Sequence, residues 1–226
     1  MATEPFVSII VPTTGTVGYL HGMVKSVARL DYPRDRFELI LLGDAETPLL
    51  QRARELAQEG GIALQVILDP VAAGEKRNRG VAAAQGEHIA FTDDDTILRE
   101  DWLRAAVQHL AQNPDYAGVG GPNFTPREGL PFAKAGGSIF GSKFLFRFRY
   151  TSGHDEPREV DHNPTCNYVL RREAVAGIGS HPTLWPGEDV EFDIRLQQVG
   201  HRILYAPDVV VWHHRRSRPL PFLRQM

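Results

Sequence analysis

Short apolar runs alternate with amphipathic segments along the first 95 residues of the chain. The apolar runs predict strands over 6–12, 38–42, 63–68 and 88–92. Between them, apolar residues at helical spacing predict helices over 19–30, 48–60 and 75–85. Strands and helices that alternate in this way favour a mainly parallel α/β sheet with right-handed crossovers, which is half of a Rossmann-like fold.

The pattern becomes less regular after residue 95. Helices are predicted over 101–113, 172–176 and 188–199, and strands over 118–121, 167–171, 202–205 and 209–212. The stretch 122–164 is rich in glycine, proline and aromatic residues and shows no clear period. We therefore expect it to hold substrate-specific loops.

Composition excludes several classes of protein. The 226 residues carry a net charge of −3, which argues against general nucleic-acid binding. Cys166 is the single cysteine, so the chain has no internal disulfide or cysteine-based zinc site, and a reducing compartment is favoured. Residues 1–5 are too short and polar for a signal peptide, and no apolar run reaches the roughly 18 residues that span a bilayer.

Three consecutive acids, Asp93, Asp94 and Asp95, follow the fourth predicted strand. In an open α/β sheet they would lie at the carboxyl edge of the strands, where such sheets bind ligands. Their mutual repulsion disfavours folding unless a positive charge lies among them, and a hard divalent cation prefers oxygen ligands. The alternative is an acidic turn that caps the helix beginning near Asp101. Three adjacent acids after a buried strand favour the metal site.

Basic residues cluster near the start of the third predicted helix. Lys76, Arg77 and Arg79 oppose the helix dipole there, and a bound phosphate would resolve that conflict. A solvated helix turn, with Glu75 compensating part of the charge, explains the stretch equally well.

Polar residues also follow the other strands of the predicted sheet. They are Pro12-Thr13-Thr14, Asp44 and Asp69. Singly, each is more typical of turn chemistry. As a set on one edge with the three acids, they favour a nucleotide crevice, in which threonine and backbone groups contact the base and an aspartate contacts the ribose.

Two candidate catalytic groups lie late in the chain. Glu188 and Asp189 begin a helix, where acids usually stabilise the helix start, but a carboxylate near a metal–phosphate site could also act as general base. His213 and His214 end an apolar strand and could complete a metal shell, although an inert surface histidine is the favoured interpretation from the residues alone. Cys166 is expected to be a buried packing residue.

Aromatic and basic residues alternate over 140–150. A strand with one apolar face is the favoured interpretation. The alternative is an interfacial segment that meets anionic lipid head groups, helped by basic residues of the tail, namely Arg215, Arg216, Arg218 and Arg224.

Taken together, these motifs resemble the inverting family 2 glycosyltransferases of GT-A fold, over about residues 7–216. Val7-Ser8-Ile9-Ile10-Val11-Pro12 is similar to the opening strand of that family, Arg77-Asn78-Arg79-Gly80 to its approach to the metal motif, and Asp93-Asp94-Asp95 to its DxD motif. Gly187-Glu188-Asp189 resembles the acidic pair of the family, and Val211-Trp212-His213 its late histidine.

The resemblance implies roles for these positions. Asp93 would contact the ribose or the metal, Asp95 and His213 would ligate the metal, with His214 as the alternative if the register differs by one, and Asp189 would be the base beside Glu188. The nucleotide-sugar site would comprise Pro12, Thr13, Thr14, Asp44, Lys76, Arg77, Asn78, Asp93 and Asp94. Trp185 and Asn167, the latter in the segment Thr165-Cys166-Asn167, would lie on the acceptor side. Asp44 stands where the family commonly has Asp-Asp-Gly-Ser.

The resemblance also implies the organisation and partners of the chain. We expect one GT-A domain over 1–226, with a nucleotide-sugar-binding half over 1–95 and an acceptor-binding and base-carrying half over 96–226. The expected cofactor is Mn²⁺ or Mg²⁺, and the expected partners are a nucleotide-sugar donor, with a UDP-sugar favoured, and a glycan or lipid-linked acceptor of cell-envelope polysaccharide synthesis. A cytoplasmic location is expected, with peripheral contact to the cytoplasmic face of a membrane as an added option.

Two functions from other classes remain open. A sugar nucleotidyltransferase would carry a basic, glycine-rich loop directly after the first strand, and Pro12-Thr13-Thr14-Gly15-Thr16 contains no basic residue. A non-catalytic nucleotide-sugar-binding subunit of a membrane synthase would keep the Asp93–Asp95 cluster without needing Asp189.

Overall fold

The computed structural model describes residues 4–15, 18–126, 156–178 and 187–215. Its strands are β1 Val7–Pro12, β2 Phe37–Gly43, β3 Ala63–Leu68, β4 His88–Thr92, β5 Thr96–Leu98, β6 Tyr116–Gly120, β7 Asn123–Phe124, β8 Arg158–Val160, β9 Asn167–Arg171, β10 Arg202–Tyr205 and β11 Val211–His213. Its helices are α1 Leu20–Val27, α2 Pro48–Glu59, α3 Ala73–Ala83, α4 Trp102–Gln112, α5 Arg172–Ile178 and α6 Glu188–Gln198, with a short 3-10 helix at Arg34–Arg36.

Eight of these strands form one mixed sheet in the order β3-β2-β1-β4-β9-β6-β10-β8. The first four are mutually parallel, as the alternation of strands and helices predicts. The strand β9 runs antiparallel to both β4 and β6, while β10 is parallel to β6 and antiparallel to β8. The sheet is therefore parallel where the first half of the chain builds it and mixed where the second half completes it.

A second, three-stranded sheet in the order β5-β11-β7 joins the two halves of the chain. The strand β11 pairs antiparallel with β5, and the register sets His213 opposite Thr96. The pattern of apolar residues predicted neither β5 nor β7 nor β8, because strands of two or three residues are too short for a periodic signal.

The core lies on both faces of the large sheet, which explains why its central strands are continuously apolar rather than alternating. In β1, Val7, Ile9 and Val11 pack on one side with residues of α1, α2 and α4, whereas Ile10 packs on the other with Phe91 and residues of α5 and α6.

Gly80 brings α3 close to that second face. A Cβ at residue 80 would lie 2.4 Å from Ile10 Cγ2, so this approach requires glycine. The glycine thereby fixes how far the basic residues of α3 stand from the strand ends of the sheet.

The helix α3 begins at Ala73, earlier than the predicted start at residue 75. Lys76 and Arg77 therefore project from the second turn of the helix rather than from its first residues, and both are buried, with 3% exposure each. Among the residues described here, no helix is long and apolar enough to cross a membrane.

Candidate functional site

The candidate site lies at the carboxyl ends of β1, β2 and β4. Because these strands are parallel neighbours, Thr13, Asp44 and the acids Asp93–Asp95 emerge at the same edge of the sheet. Thr96 holds the turn that carries the acids, since its hydroxyl donates to the Asp93 carbonyl at 2.7 Å.

Asp93, Asp95 and His213 form what we call the strand-end cluster. One potential ligand atom from each lies within 4.8 Å of the others, and the three residues are half-buried. Asp95 Oδ1 lies 3.1 Å from His213 Nε2, yet this buried oxygen accepts no well-aligned hydrogen bond within the described residues. Two carboxylates and one imidazole are ligands that Mn²⁺ and Mg²⁺ sites can use, so the residues present fit a divalent cation.

The charges within this cluster depend on one another. Burial alone would lower the pKa of His213, but the neighbouring Asp95 carboxylate and Cys166 outweigh it and hold that pKa well above its usual range. Burial alone would raise the pKa of Asp95, but His213 and the backbone overcome it and hold that pKa low. A proton on the imidazole therefore balances the acids, and a cation binding there would replace that proton.

The register of β11 decides between the two adjacent histidines. His213 faces Asp95, whereas the ring of His214 stacks on Tyr19 with centroids 4.1 Å apart. The backbone N–H of His214 donates to the Asp95 carbonyl at 2.9 Å, which ties β11 to the acidic turn. The described geometry therefore favours His213 as the candidate ligand.

Arg77 links the acids to the second half of the site. Its guanidinium donates to Asp93 Oδ1 at 2.6 Å, and Nη1 lies 3.8 Å from Glu188 Oε1. Two of its buried nitrogens, Nε and Nη1, have no hydrogen-bond partner among the residues that the structure describes. Burial raises the pKa of Glu188, with the Asp189 charge contributing. A buried guanidinium with donors to spare is suited to an anionic group such as a phosphate.

Lys76 ties together the ends of the first two strands. Its ammonium donates to the Thr13 carbonyl at 2.7 Å and pairs with the Asp44 carboxylate. Thr13 in turn donates its hydroxyl to Asp94 Oδ2 at 2.5 Å. Burial raises the pKa of Asp94 to about 6, against the opposing effect of the Thr13 hydrogen bond. These residues, all expected at the nucleotide site, are thus brought together in one hydrogen-bonded group.

Asp189 lies in the first turn of α6, which begins after Gly187 in a left-handed conformation at φ 103°. One of its carboxylate oxygens, Oδ1, accepts a hydrogen bond from the Val190 N–H at 2.9 Å. The side chain is 28% exposed, so an incoming substrate could reach it. Its neighbour Glu188 faces Arg77, which connects α6 to the acids at the strand ends.

Sequence reasoning missed two residues beside Asp189. The imidazole of His162 lies between Asp189 and Asp193, with Nε2 at 3.6 Å from Asp189 Oδ2 and Nδ1 at 2.6 Å from Asp193 Oδ2. We call these three residues the helix cluster. One signal could have revealed it: Asp193 follows Asp189 by one helical turn and adjoins Phe192 on the buried face of α6.

Other expected site residues have different surroundings. Asn167 is fully buried, its carboxamide oxygen accepts from the Trp102 indole at 2.8 Å, and its amide donates to the Val209 carbonyl at 2.8 Å. This geometry does not support the expected acceptor contact and gives Asn167 a structural role, since a buried amide needs its partners within the protein.

The remaining candidates divide between the described residues and those outside them. Pro12 is buried at the end of β1, and Thr14, two residues later, is exposed. On α3, Asn78 donates to Glu75 at 3.0 Å. Cys166 is buried, as expected. Trp185, the aromatic and basic stretch 140–150 and the tail from 216 onward lie outside the described residues.

Residues 4–226 match the protein family described as "Glycosyltransferase like family 2". Among curated relatives, the chain is 24% identical to "Glycosyltransferase AglE" of Haloferax volcanii, over 95% of this chain and 69% of that protein. It is also 24% identical to "Probable glycosyltransferase YdaM" of Bacillus subtilis, over 94% of this chain and 51% of that protein. The chain thus spans about half of the second relative.

Solved glycosyltransferase structures share the fold. A mannosyltransferase from Pyrobaculum calidifontis, in complex with GDP-Man and Mn²⁺, superposes with a TM-score of 0.73 at 22% identity, over 96% of this chain and 59% of that one. TarS 1–349 from S. aureus, in complex with UDP-GlcNAc, gives a TM-score of 0.71 at 19% identity, over 95% of this chain and 60% of that one. The expected GT-A fold is confirmed.

Proposed function

The chain belongs to glycosyltransferase family 2, and on that premise we propose that it transfers a sugar from a nucleotide-diphosphate sugar to a hydroxyl acceptor, with inversion at the anomeric carbon. The observation that carries the proposal is the strand-end cluster of Asp93, Asp95 and His213 with the Arg77 guanidinium beside it. This arrangement provides ligands for a cation and a buried donor for a diphosphate at the sheet edge where α/β folds bind nucleotides.

The donor would bind between the strand ends and α3. Thr13, Thr14 and Pro12 at the end of β1 and Asp44 after β2 would contact the base and ribose, while Lys76 holds Thr13 and Asp44 in place. Structural neighbours that contain GDP-Man or UDP-GlcNAc support a nucleotide-sugar donor. We favour a UDP-sugar, as the family resemblance implies.

A divalent cation, Mn²⁺ or Mg²⁺, held by Asp93, Asp95 and His213 would supply positive charge against the donor diphosphate. Arg77 supplies a second positive charge from the protein itself, and its buried position makes that charge effective because little water screens it. The leaving nucleoside diphosphate gains negative charge in the transition state, so these fixed charges stabilise it more than they stabilise the bound donor.

Asp189 would be the general base. It would take the proton of the acceptor hydroxyl while the acceptor oxygen bonds to the anomeric carbon and the bond to the diphosphate breaks. One displacement on the face opposite the leaving group inverts the configuration. The contact of neighbouring Glu188 with Arg77, which itself binds Asp93, supports a position for Asp189 next to the diphosphate site.

The acceptor side rests on the family resemblance. We propose a glycan or lipid-linked acceptor, bound by residues after 96, with contact to a membrane surface through the basic and aromatic stretches. An assay on a water-soluble acceptor with and without anionic vesicles checks the membrane contact, since equal rates in both conditions would contradict it.

Calorimetric titration tests the donor site directly. A panel of nucleoside diphosphates is titrated with Mn²⁺, with Mg²⁺ and with EDTA, into the wild type, Asp95→Ala and the exposed-acid control Asp115→Asn. We expect binding of one nucleotide that requires the cation and is weakened about 100-fold in Asp95→Ala alone. Binding that ignores the cation, or no binding, would contradict the proposal.

A further inference from the structure

The helix α6 carries two acids on one face. Asp189 and Asp193 are four residues apart, so their side chains are neighbours on the helix surface, and like charges at that spacing disfavour the helix. Asp193 is also fully buried, and a buried carboxylate needs compensating partners. A cation or a hydrogen-bond donor from elsewhere in the chain is therefore needed to stabilise the two acids of α6.

His162, in the loop between β8 and β9, provides this group. Its Nδ1 lies 2.6 Å from Asp193 Oδ2, which also accepts the Asn163 backbone N–H at 2.9 Å. Because an ionised carboxylate can only accept, Nδ1 carries a proton that it donates to Asp193. The ring is thereby held with Nε2 directed toward Asp189, at 3.6 Å from Oδ2.

The described neighbours also favour a charged ring. Burial lowers the pKa of His162, but the hydrogen bond and charge of Asp193 and the charge of Asp189 outweigh it, and the pKa is raised. Both of these acids come from α6, and on β9 the Tyr168 hydroxyl faces the same carboxylate, Asp193. Burial raises the pKa of Asp193, while His162, the Asn163 N–H and Tyr168 oppose that rise and favour the ionised carboxylate. In the imidazolium form Nε2 also carries a proton, which it can donate toward Asp189.

A nitrogen lies near each oxygen of Asp189. Oδ1 accepts the Val190 N–H at 2.9 Å, and Oδ2 faces His162. A separation of 3.6 Å is longer than a hydrogen bond, but contacts of catalytic groups commonly tighten when substrate binds. These two neighbours favour one orientation of the carboxylate, while the side chain remains partly exposed for a substrate hydroxyl.

We propose that His162 is a positioning residue for Asp189: anchored by Asp193, it fixes the orientation and the ionised state of the carboxylate that receives the acceptor proton. This inference rests on the proposed function, in which Asp189 is the base. The acceptor O–H bond breaks, its proton moves to Asp189, and the acceptor oxygen uses the freed electron pair to bond to the anomeric carbon. The bond from that carbon to the phosphate oxygen breaks, and its electron pair leaves with the diphosphate. His162 keeps its own protons throughout.

Two substitutions at residue 162 separate positioning from simple structural support. His162→Asn keeps an amide donor near the Nδ1 position for Asp193 but has no group facing Asp189. His162→Gln extends its amide to the Nε2 position and so offers Asp189 a neutral donor. The matched control is His201→Asn, at a half-buried histidine just beyond α6.

We expect His162→Asn to lower kcat by about 10- to 100-fold, with the donor KM changed by less than about 2-fold. The acid limb of its rate profile should move to higher pH, because a carboxylate without a neighbouring cation binds protons more readily. His162→Gln should recover part of kcat but not the position of the acid limb, and the control should match the wild type. A merely structural role would leave the acid limb unmoved, whatever the change in thermal stability.

NMR titration of the His162 ring gives a readout that needs no substrate. In Asp189→Asn the pKa of His162 should fall relative to the wild type, and an unchanged value would overturn the inference. An active wild type with His162→Asn at full kcat would contradict the positioning role alone. A wild type that transfers no sugar from any donor would contradict the proposed function. It would also overturn this inference, which depends on that function.

Discussion

Two groups of aspartates around a histidine lie on either side of Arg77, and they balance charge in different ways. In the helix cluster, His162 stands between Asp189 and Asp193 and supplies the positive charge from within the protein. In the strand-end cluster, His213 approaches Asp95 from a second sheet, Asp93 is bound by Arg77, and Asp94 adds a third acid alongside. The pKa of His213 is raised as well, so the imidazole of each cluster holds a proton that balances its acids. The strand-end cluster differs because its two carboxylates and imidazole are a ligand set for a divalent cation, which would replace that proton.

The difference lies in how each histidine is anchored. His162 has a buried carboxylate at 2.6 Å on its far side, which fixes the ring and favours its charged form. His213 is set by the register of β11 on β5, which aims its Nε2 at an oxygen that accepts no well-aligned hydrogen bond within the described part of the chain. One ring is thus a permanent partner of its acids, while the other can exchange its proton for a metal ion.

The largest effect should come from Asp189, the partly exposed acid of the helix cluster. We predict that Asp189→Asn lowers kcat by about 1,000-fold, within the range usual for loss of a general base, because the amide cannot accept the acceptor proton. Donor binding should stay within about 2-fold, since the strand-end cluster is untouched. Steady-state kinetics with calorimetry measures both, and the control is Glu191→Gln, at a half-buried acid of α6 that pairs with Arg195. Full turnover in Asp189→Asn would contradict the proposal that Asp189 is the general base.

The next largest effect should come from the strand-end cluster. Asp95→Ala removes one of its two carboxylates, and we predict that cation-dependent affinity for the nucleoside diphosphate falls about 100-fold, or about 2.7 kcal/mol. Calorimetry with and without Mn²⁺ measures the change. His162→Asn serves as the opposing control, because it alters the other cluster and should bind donor normally. If both variants lost the same affinity, the two clusters would act as one unit.

A cation should stabilise the fold only through the strand-end cluster. At a Mn²⁺ concentration about 100 times its Kd, we predict about 2.7 kcal/mol of added stability in the wild type, because ligands of the native state shift the unfolding equilibrium. Chemical denaturation at fixed Mn²⁺ measures it. The gain should vanish in Asp95→Ala and persist in His162→Asn. An equal gain in all three proteins would indicate that the cation binds elsewhere.

The smallest effect concerns pH and the helix cluster. A histidine whose folded pKa is raised contributes stability that is fully present below its unfolded value, near 6.5, and is lost as pH rises through the folded value. We predict that the wild type exceeds His162→Asn by about 1 kcal/mol at pH 5.5 and by less at pH 9. Urea unfolding at several pH values measures the difference. A gap that widens with rising pH would contradict a charged His162.

The central strands and the acids at their ends could be predicted from sequence because the information is local. A strand buried on both faces is a continuous apolar run, so the prediction over 88–92 coincides with β4. The prediction over 63–68 also coincides with β3, although β3 is an edge strand whose residues are exposed or half-buried. The residues after each of these parallel strands must lie at one edge of the sheet. His213 was identified as a ligand candidate through the family resemblance, and the pairing of β11 with β5 now gives that position a physical cause.

The other features depend on contacts between distant residues. From the sequence, Asn167 is interpreted as a polar residue of an acceptor motif. The structure shows that its side chain instead forms hydrogen bonds with Trp102 and Val209, which are distant in the sequence. In the sequence Asp193 resembles an ordinary helix acid, and its contact with His162, which lies in the loop between β8 and β9, is visible only in the structure. Very short strands such as β7 form because a distant strand, here β11, pairs with them. The residues of β7 alone carry no pattern that predicts this pairing.

The pairing of β11 with β5 also has a consequence for the order of events during synthesis. His213 lies 118 positions after Asp95, so nearly the whole described chain must leave the ribosome before this candidate ligand can join the acids. Contacts across such a long separation form late, after the local helices and the first strands. Capture of a metal ion by all three candidate ligands would then come late in folding, and a chain in which β11 has not yet paired with β5 would offer the ion one ligand fewer.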